Sequence, residues 1–106
     1  MLVPLRRRAL PDLARLQGFS QVGAHCLYAP GTRELPVIKT ITDQAGGPVN
    51  ILVPLSDVNA QQPVPFQLSD LAEIGVRRIS LGGSLYKSQV THAAARVRHL
   101  LTNDSF

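Results

Sequence analysis

The side chains that could do chemistry are few in this sequence, and their spacing assembles no reactive set. The three histidines are His25, His92 and His99. On a helix, His92 and His99 would lie on similar faces but two turns apart, which is too far for both to bind one metal ion. We therefore interpret all three as surface histidines, and no metal ligand is predicted.

Four polar or small residues admit a functional and a plainer interpretation. Ser56 and Asp57 could suggest a nucleophilic site, but no histidine is placed to act as the base. Gly82 and Gly83 precede a predicted helix and could cradle a phosphate group. A glycine pair that eases a strand-to-helix turn is the commoner explanation of such a short motif.

Two polar side chains lie inside predicted strands. Alternation places Tyr28 on one face of the first strand and Asn50 on one face of the second. Because a buried asparagine must find partners, we predict that Asn50 bonds to backbone or to a neighbouring side chain, with Ser80 as a candidate. Contact between Asn50 and a substrate is the alternative.

The elements that position these residues alternate between strand and helix. Three short apolar runs, Cys26–Ala29, Pro48–Pro54 and Arg78–Leu81, predict parallel strands in a βαβαβ array with the second at its centre. The middle run is apolar on both faces, as is typical of a strand buried on both sides. The fold class is therefore α/β.

Helical periodicity predicts a helix before each strand and one after the last. The first begins near Pro11 and ends at Gly23. The apolar stripes of the first three helices are Leu13, Leu16 and Phe19; Leu35, Ile38, Ile41 and Ala45; and Leu68, Leu71 and Ile74. The longest irregular segment, 55–65, follows the central strand, where α/β proteins usually bind ligands. A solvated insertion is the alternative interpretation.

Length and composition limit the domain count and the partners. The 106 residues allow one domain or part of a larger one, and we assign 1–10 to a loosely ordered segment and 11–106 to the domain. The net charge of +4 raises nucleic acid as a partner. The arginines lie in separate elements without interleaved aromatic residues, so we predict no nucleic-acid binding.

The same composition bears on localisation. No apolar run approaches the roughly 20 residues that cross a bilayer, so no membrane partner is predicted. The single cysteine, Cys26, excludes an intrachain disulfide and is interpreted as a small core residue. With no hydrophobic signal segment at the N-terminus, these features favour the cytoplasm.

Three segments in fixed order resemble the last part of the isocitrate lyase/phosphoenolpyruvate mutase family. They are Gly23–Gly31 (GAHCLYAPG), Gly47–Leu52 (GPVNIL) and Gly75–Leu85 (GVRRISLGGSL). The resemblance implies a partial (β/α)8 TIM barrel, namely strands six to eight with their helices plus a preceding helix. A complete barrel takes about 250 residues. His25 replaces the family's usual Asp, and Pro30 stands where members carry a His or Glu.

The resemblance also implies an activity. Family members are Mg²⁺-dependent carbon–carbon lyases or phosphorus–carbon phosphomutases acting on small 2-oxo or 2-hydroxy carboxylates. Their metal ligands and catalytic loop lie on earlier strands, so we assign no catalytic residue, metal ligand or cofactor to this chain and expect it to be inactive alone. The residues left for substrate contact are Tyr28, Asn50, Ser56, Gly82 and Gly83. The alternative is a catalytically silent αβ module that self-associates.

The last predicted helix suggests self-association. Its apolar residues alternate in steps of four and three, which is the seam of a helix that packs on a partner helix. These seam residues are Tyr86, Val90, Ala93, Val97 and Leu100. The resemblance implies that this helix is exchanged between subunits, and we predict a homo-oligomer. Docking of the same stripe on the chain's own sheet is the alternative.

Overall fold

The computed structural model describes residues 9–56 and 64–106, with side chains from residue 12 onward. The segment expected to be loosely ordered, 1–10, therefore lies mostly outside the described residues. Most of the irregular segment 55–65, including Asp57, also lies outside them.

The described elements follow the predicted alternation of helix and strand. In chain order they are α1 (Ala9–Gln21), β1 (Leu27–Tyr28), α2 (Leu35–Gln44), β2 (Val49–Leu52), α3 (Leu68–Glu73), β3 (Arg78–Ser80) and α4 (Ser84–Asn103). The strands are shorter than the apolar runs that predicted them, and α1 begins two residues before Pro11. The mixed α/β class is confirmed.

The three strands form one parallel sheet in the order β1-β2-β3. Val49 pairs with Leu27, and Asn50 pairs with Tyr28 on one side and Arg78 on the other. The prediction that the second strand is central is confirmed.

The described residues fall into two compact units. One contains residues 9–52 and 64–80, and so holds the sheet and helices α1 to α3. The other contains residues 53–56 and 81–106, and so holds α4. Among the described helices, none combines the length and apolar character needed to cross a membrane.

The core of the first unit is apolar and centred on β2. Val49 and Ile51 are buried and so is Asn50 between them, which confirms that this strand is covered on both faces. Residues of the helices, the strands and the turns next to them complete the core: Leu13, Leu16, Leu27, Ala29, Val37, Ile38, Ile41, Ala45, Leu71 and Val76.

Two residues predicted for the apolar stripes are exposed instead. Phe19 is 57% exposed because the packed face of α1 follows the spacing of Leu13, Leu16, Gln17 and Ser20, and Phe19 projects away from it. Leu68 is 64% exposed, since the six-residue helix α3 buries only Leu71. The stripe prediction was wrong at these two positions.

Helix α1 is tied to the turn that leads into β2. Gln17 Nε2 donates a hydrogen bond of 2.9 Å to the Gln44 carbonyl, and Ser20 Oγ donates one of 2.9 Å to the Gly46 carbonyl. Gly46 has φ +85°, and a Cβ there would lie 3.2 Å from Ser20 Oγ, so glycine suits both its conformation and its close neighbour. These contacts fix where β2, and with it Asn50, begins.

Candidate functional site

The polar centre of the sheet is Asn50, whose side chain is 3% exposed. Its Nδ2 donates a hydrogen bond of 3.1 Å to Ser80 Oγ. Its Oδ1 accepts one of 3.1 Å from Arg78 Nε. The prediction that Asn50 is an interior polar residue bonded to Ser80 is confirmed.

The sheet register explains why these three side chains meet. Asn50 pairs with Arg78, and Leu52 pairs with Ser80. Residues two apart on a strand share a face, so Arg78 and Ser80 flank Asn50 on the same side of the sheet. Ile79 lies between them in sequence and pairs with Ile51 on the other side.

Arg78 is the member of this cluster that sequence reasoning missed. No partner is predicted for Arg78 from the sequence, and the residue is exposed. The signal that could have found it is the alternation Arg-Ile-Ser, which puts Arg78 and Ser80 on one face of a strand beside Asn50. Within the described part of the chain, no carboxylate forms an ion pair with Arg78.

Tyr28 lies next to Asn50 across the β1–β2 pairing. It is 41% exposed and borders a cleft of about 280 Å³ that residues of α1, including Arg15 and Phe19, also line. The register therefore brings the predicted pair Tyr28 and Asn50 together on neighbouring strands. Whether either contacts a substrate stays a prediction.

The other predicted site residues belong to the second unit, where Ser84 connects two loops. The Leu55 N–H donates a hydrogen bond of 3.0 Å to Ser84 Oγ, and that hydroxyl donates to the Leu81 carbonyl. Ser84 is buried, and its two bonds hold Leu55, the neighbour of the exposed Ser56, beside the turn before α4. Sequence reasoning missed Ser84, although its place directly after a glycine pair is a signal for a helix start.

The glycine pair itself makes the turn from β3 into α4. Gly82 has φ +57°, which favours glycine, whereas Gly83 has φ −76° and open space where a Cβ would lie. This geometry favours the interpretation as a strand-to-helix turn. Phosphate or substrate contact by either glycine stays a prediction.

The described side chains do not fit the Mg²⁺ that the resemblance implies. Magnesium is held by carboxylate and other oxygen ligands in near-octahedral geometry. Within residues 12–56 and 64–106, no three His, Cys, Asp or Glu side chains are grouped so that they could hold a metal ion. Asp43 already accepts a hydrogen bond of 2.9 Å from Lys39 Nζ, and Asp70 one of 2.7 Å from the Gln67 N–H.

Comparison with solved structures identifies two similar proteins from Burkholderia cenocepacia J2315. One, described as a lyase/mutase, is 30% identical with a TM-score of 0.77, and the match covers 96% of this chain and 35% of that one. The other, described as a phosphonomutase, is 30% identical with a TM-score of 0.74, covering 91% of this chain and 36% of that one. The chain thus spans about a third of the length of either protein.

Sequence comparison agrees with the structural one. No curated protein matches the chain significantly. The sequence profile of the family described as phosphoenolpyruvate phosphomutase matches residues 5–101, which is nearly the whole chain. The resemblance drawn from the three ordered segments is confirmed, and the chain belongs to the isocitrate lyase/phosphoenolpyruvate mutase family.

Proposed function

We propose that this chain is the C-terminal part of a Mg²⁺-dependent enzyme that acts on small 2-oxo or 2-hydroxy carboxylates. Its reaction is carbon–carbon cleavage or phosphorus–carbon rearrangement, in keeping with the descriptions of the two similar structures as a lyase/mutase and a phosphonomutase. The observation that carries the proposal is the match of nearly the whole chain to about a third of each of these proteins.

In this proposal the sheet forms strands six to eight of a (β/α)8 barrel. Three adjacent parallel strands joined by helices suit that position, because every strand of such a barrel is parallel to its neighbours. The face with Tyr28, Asn50 and Arg78 lines the barrel interior, and the loops after β2 and β3 lie at the carboxyl ends where barrel enzymes hold substrates.

The chain alone is expected to be inactive. The reaction needs metal ligands, and the described carboxylates form no group that could supply them. The first experiment incubates the purified chain with Mg²⁺ and isocitrate, methylisocitrate, oxaloacetate or a phosphonate. We expect no turnover. Turnover by homogeneous protein that stops when EDTA is added would contradict this expectation.

A complementation experiment tests the parent activity. The chain is combined with the complementary two thirds of the lyase/mutase from Burkholderia cenocepacia J2315, and that protein's own C-terminal third serves as the matched control. Mg²⁺-dependent turnover that is restored by this chain, as it is by the control third, supports the proposal. Turnover that only the control third restores contradicts it and favours a silent module.

The alternative proposal is a catalytically silent αβ module that self-associates through α4. The observation in its favour is the exposure of the predicted seam: Tyr86 is 72%, Val97 55% and Val90 48% exposed. Ala93, between them on the same helix face, is exposed as well. An apolar seam left open to water favours a partner helix, and a second copy of α4 carries the matching pattern.

Light scattering over a concentration series tests this alternative. Ala93→Glu puts a charge in the seam, and Ala95→Glu puts the same charge on the opposite face of α4. We expect an oligomer that Ala93→Glu dissociates and Ala95→Glu preserves. A compact monomer at every concentration, or equal effects of the two substitutions, would contradict self-association through the seam.

A further inference from the structure

The hydrogen bonds around Asn50 have a fixed direction. An arginine side chain can only donate, so the atom of Asn50 that faces Arg78 Nε must be the carbonyl oxygen Oδ1. The amide nitrogen Nδ2 then faces Ser80 and donates to its Oγ. In this pair the Asn50 amide nitrogen is therefore the donor, and the Ser80 hydroxyl oxygen is the acceptor.

With these bonds made, Arg78 and Ser80 each keep hydrogen-bond donors that no described residue uses. The Ser80 hydroxyl proton has no acceptor among the described residues. Arg78 uses Nε–H on Asn50 and makes no other hydrogen bond or ion pair within the described part of the chain. Its two terminal nitrogens form the edge of the guanidinium group that binds a carboxylate with two parallel hydrogen bonds.

The two donor groups are held on one face of the sheet rather than being independently mobile. Asn50 is buried in the central strand, and it bonds to both of them at 3.1 Å. Holding donors in place by a third residue reduces the entropy that is lost when a ligand binds. The arrangement is complementary to an anion with planar oxygens.

We propose that Arg78 and Ser80, oriented by Asn50, form a binding site for the carboxylate group of a small organic acid. Arg78 takes the carboxylate through its terminal nitrogens, and Ser80 donates its hydroxyl proton to an oxygen of the same ligand. Asn50 is the positioning residue. The site itself follows from the hydrogen bonds, and only the choice of a small organic acid as the ligand rests on the proposed function.

The test is a titration of the isotope-labelled chain with sodium pyruvate, followed by amide and side-chain NMR signals at constant ionic strength. We expect saturable shifts at Ser80 and at the Asn50 side-chain amide. Acetate, which offers the carboxylate alone, should shift the same signals, and inorganic phosphate should bind more weakly. The absence of saturable shifts with either carboxylate, or tighter binding of phosphate, would overturn the carboxylate site.

Neighbouring arginines supply a matched control. Arg78→Gln removes the charge and the paired terminal nitrogens of the guanidinium group but keeps an N–H donor for Asn50. It should weaken pyruvate binding about ten- to a hundredfold. Arg77→Gln removes the same charge one residue away, on the other side of the strand, and should change binding less than about twofold. Equal weakening by both variants would show unspecific charge attraction and overturn the proposal.

A second variant guards against misfolding. Ser80→Ala keeps both arginines and should weaken binding about three- to tenfold, while the dispersion of the remaining NMR signals reports that the fold persists. Unchanged binding in a folded Ser80→Ala variant would remove Ser80 from the site. The titration measures binding and does not depend on turnover. A failed titration therefore counts against the carboxylate site, whereas a failed complementation experiment counts against the proposed parent activity.

Discussion

Replacing Asn50 with alanine should destabilise the fold strongly for a single polar substitution. The change removes the 3.1 Å bonds to Ser80 and Arg78 from a side chain that is 3% exposed. A neutral hydrogen bond contributes about 1 kcal/mol, and one to a charged group about 1.5–3 kcal/mol. Arg78 is exposed and regains water, so the loss there falls at the lower end. We expect a free energy of unfolding about 2 kcal/mol lower.

Urea unfolding followed by far-ultraviolet circular dichroism measures this change. With the urea dependence usual for a small protein, a loss of about 2 kcal/mol lowers the midpoint by roughly 1 M. The matched control is Asn103→Ala near the end of α4, where the side chain is exposed and bonds to the His99 carbonyl at 3.0 Å. This change should stay within about 0.5 kcal/mol. Equal midpoints for the two variants would refute the reasoning.

Three further substitutions test local features by the same urea measurement. Ser84→Ala leaves the Leu55 N–H without its acceptor and should lower the free energy of unfolding by about 1–2 kcal/mol. The control Ser105→Ala, at an exposed position, should lower it by under about 0.5 kcal/mol. A loss at Ser84 no larger than that of the control would refute its bridging role. Gly82→Ala forces φ +57° on a Cβ-bearing residue and should cost about 1 kcal/mol, while Gly83→Ala at φ −76° should be neutral or slightly stabilising. If the two glycine variants behave alike, the turn does not need the left-handed conformation. Thr42 Oγ1 lies 2.8 Å from the carbonyls of both Lys39 and Ile74, which share its one proton. Thr42→Val removes this hydroxyl and should cost about 1 kcal/mol, and an unchanged midpoint would show that the hydroxyl contributes nothing to stability.

The sheet could be predicted from the sequence because its signals are local. The β-branched run of β2 and the glycines that end α1 and α2 lie within short windows, and they indicate strands and helix ends directly. The bond between Asn50 and Ser80 was also predictable, because a lone polar residue in an apolar strand must find a partner on an adjacent strand. The same requirement left the backbone open as a partner of Asn50, so the sequence offered Ser80 as one candidate.

What could not be predicted depends on how elements meet. Phe19 has the spacing of a core residue, yet the polar Gln17 and Ser20 occupy the packed face because they bond to the turn after α2. Local alternation puts Arg78 on the same face as Ser80, but its pairing with Asn50 depends on a register between β2 and β3 that no short window contains. Ser84 bridges two loops that are remote in sequence. Tertiary contacts decided these positions, and residue type alone does not encode them.

The sheet pairings have a consequence for the order in which the chain folds. Leu27 and Val49 are 22 residues apart (27 to 49), and Asn50 and Arg78 are 28 apart (50 to 78). Loop-closure entropy grows so slowly with length that the two pairings differ by only about 0.2 kcal/mol. Side chains must therefore set the sequence of events. Because Leu27 and Val49 are both buried whereas Arg78 is exposed, we expect β1 and β2 to pair first and β3 to add to a template already formed.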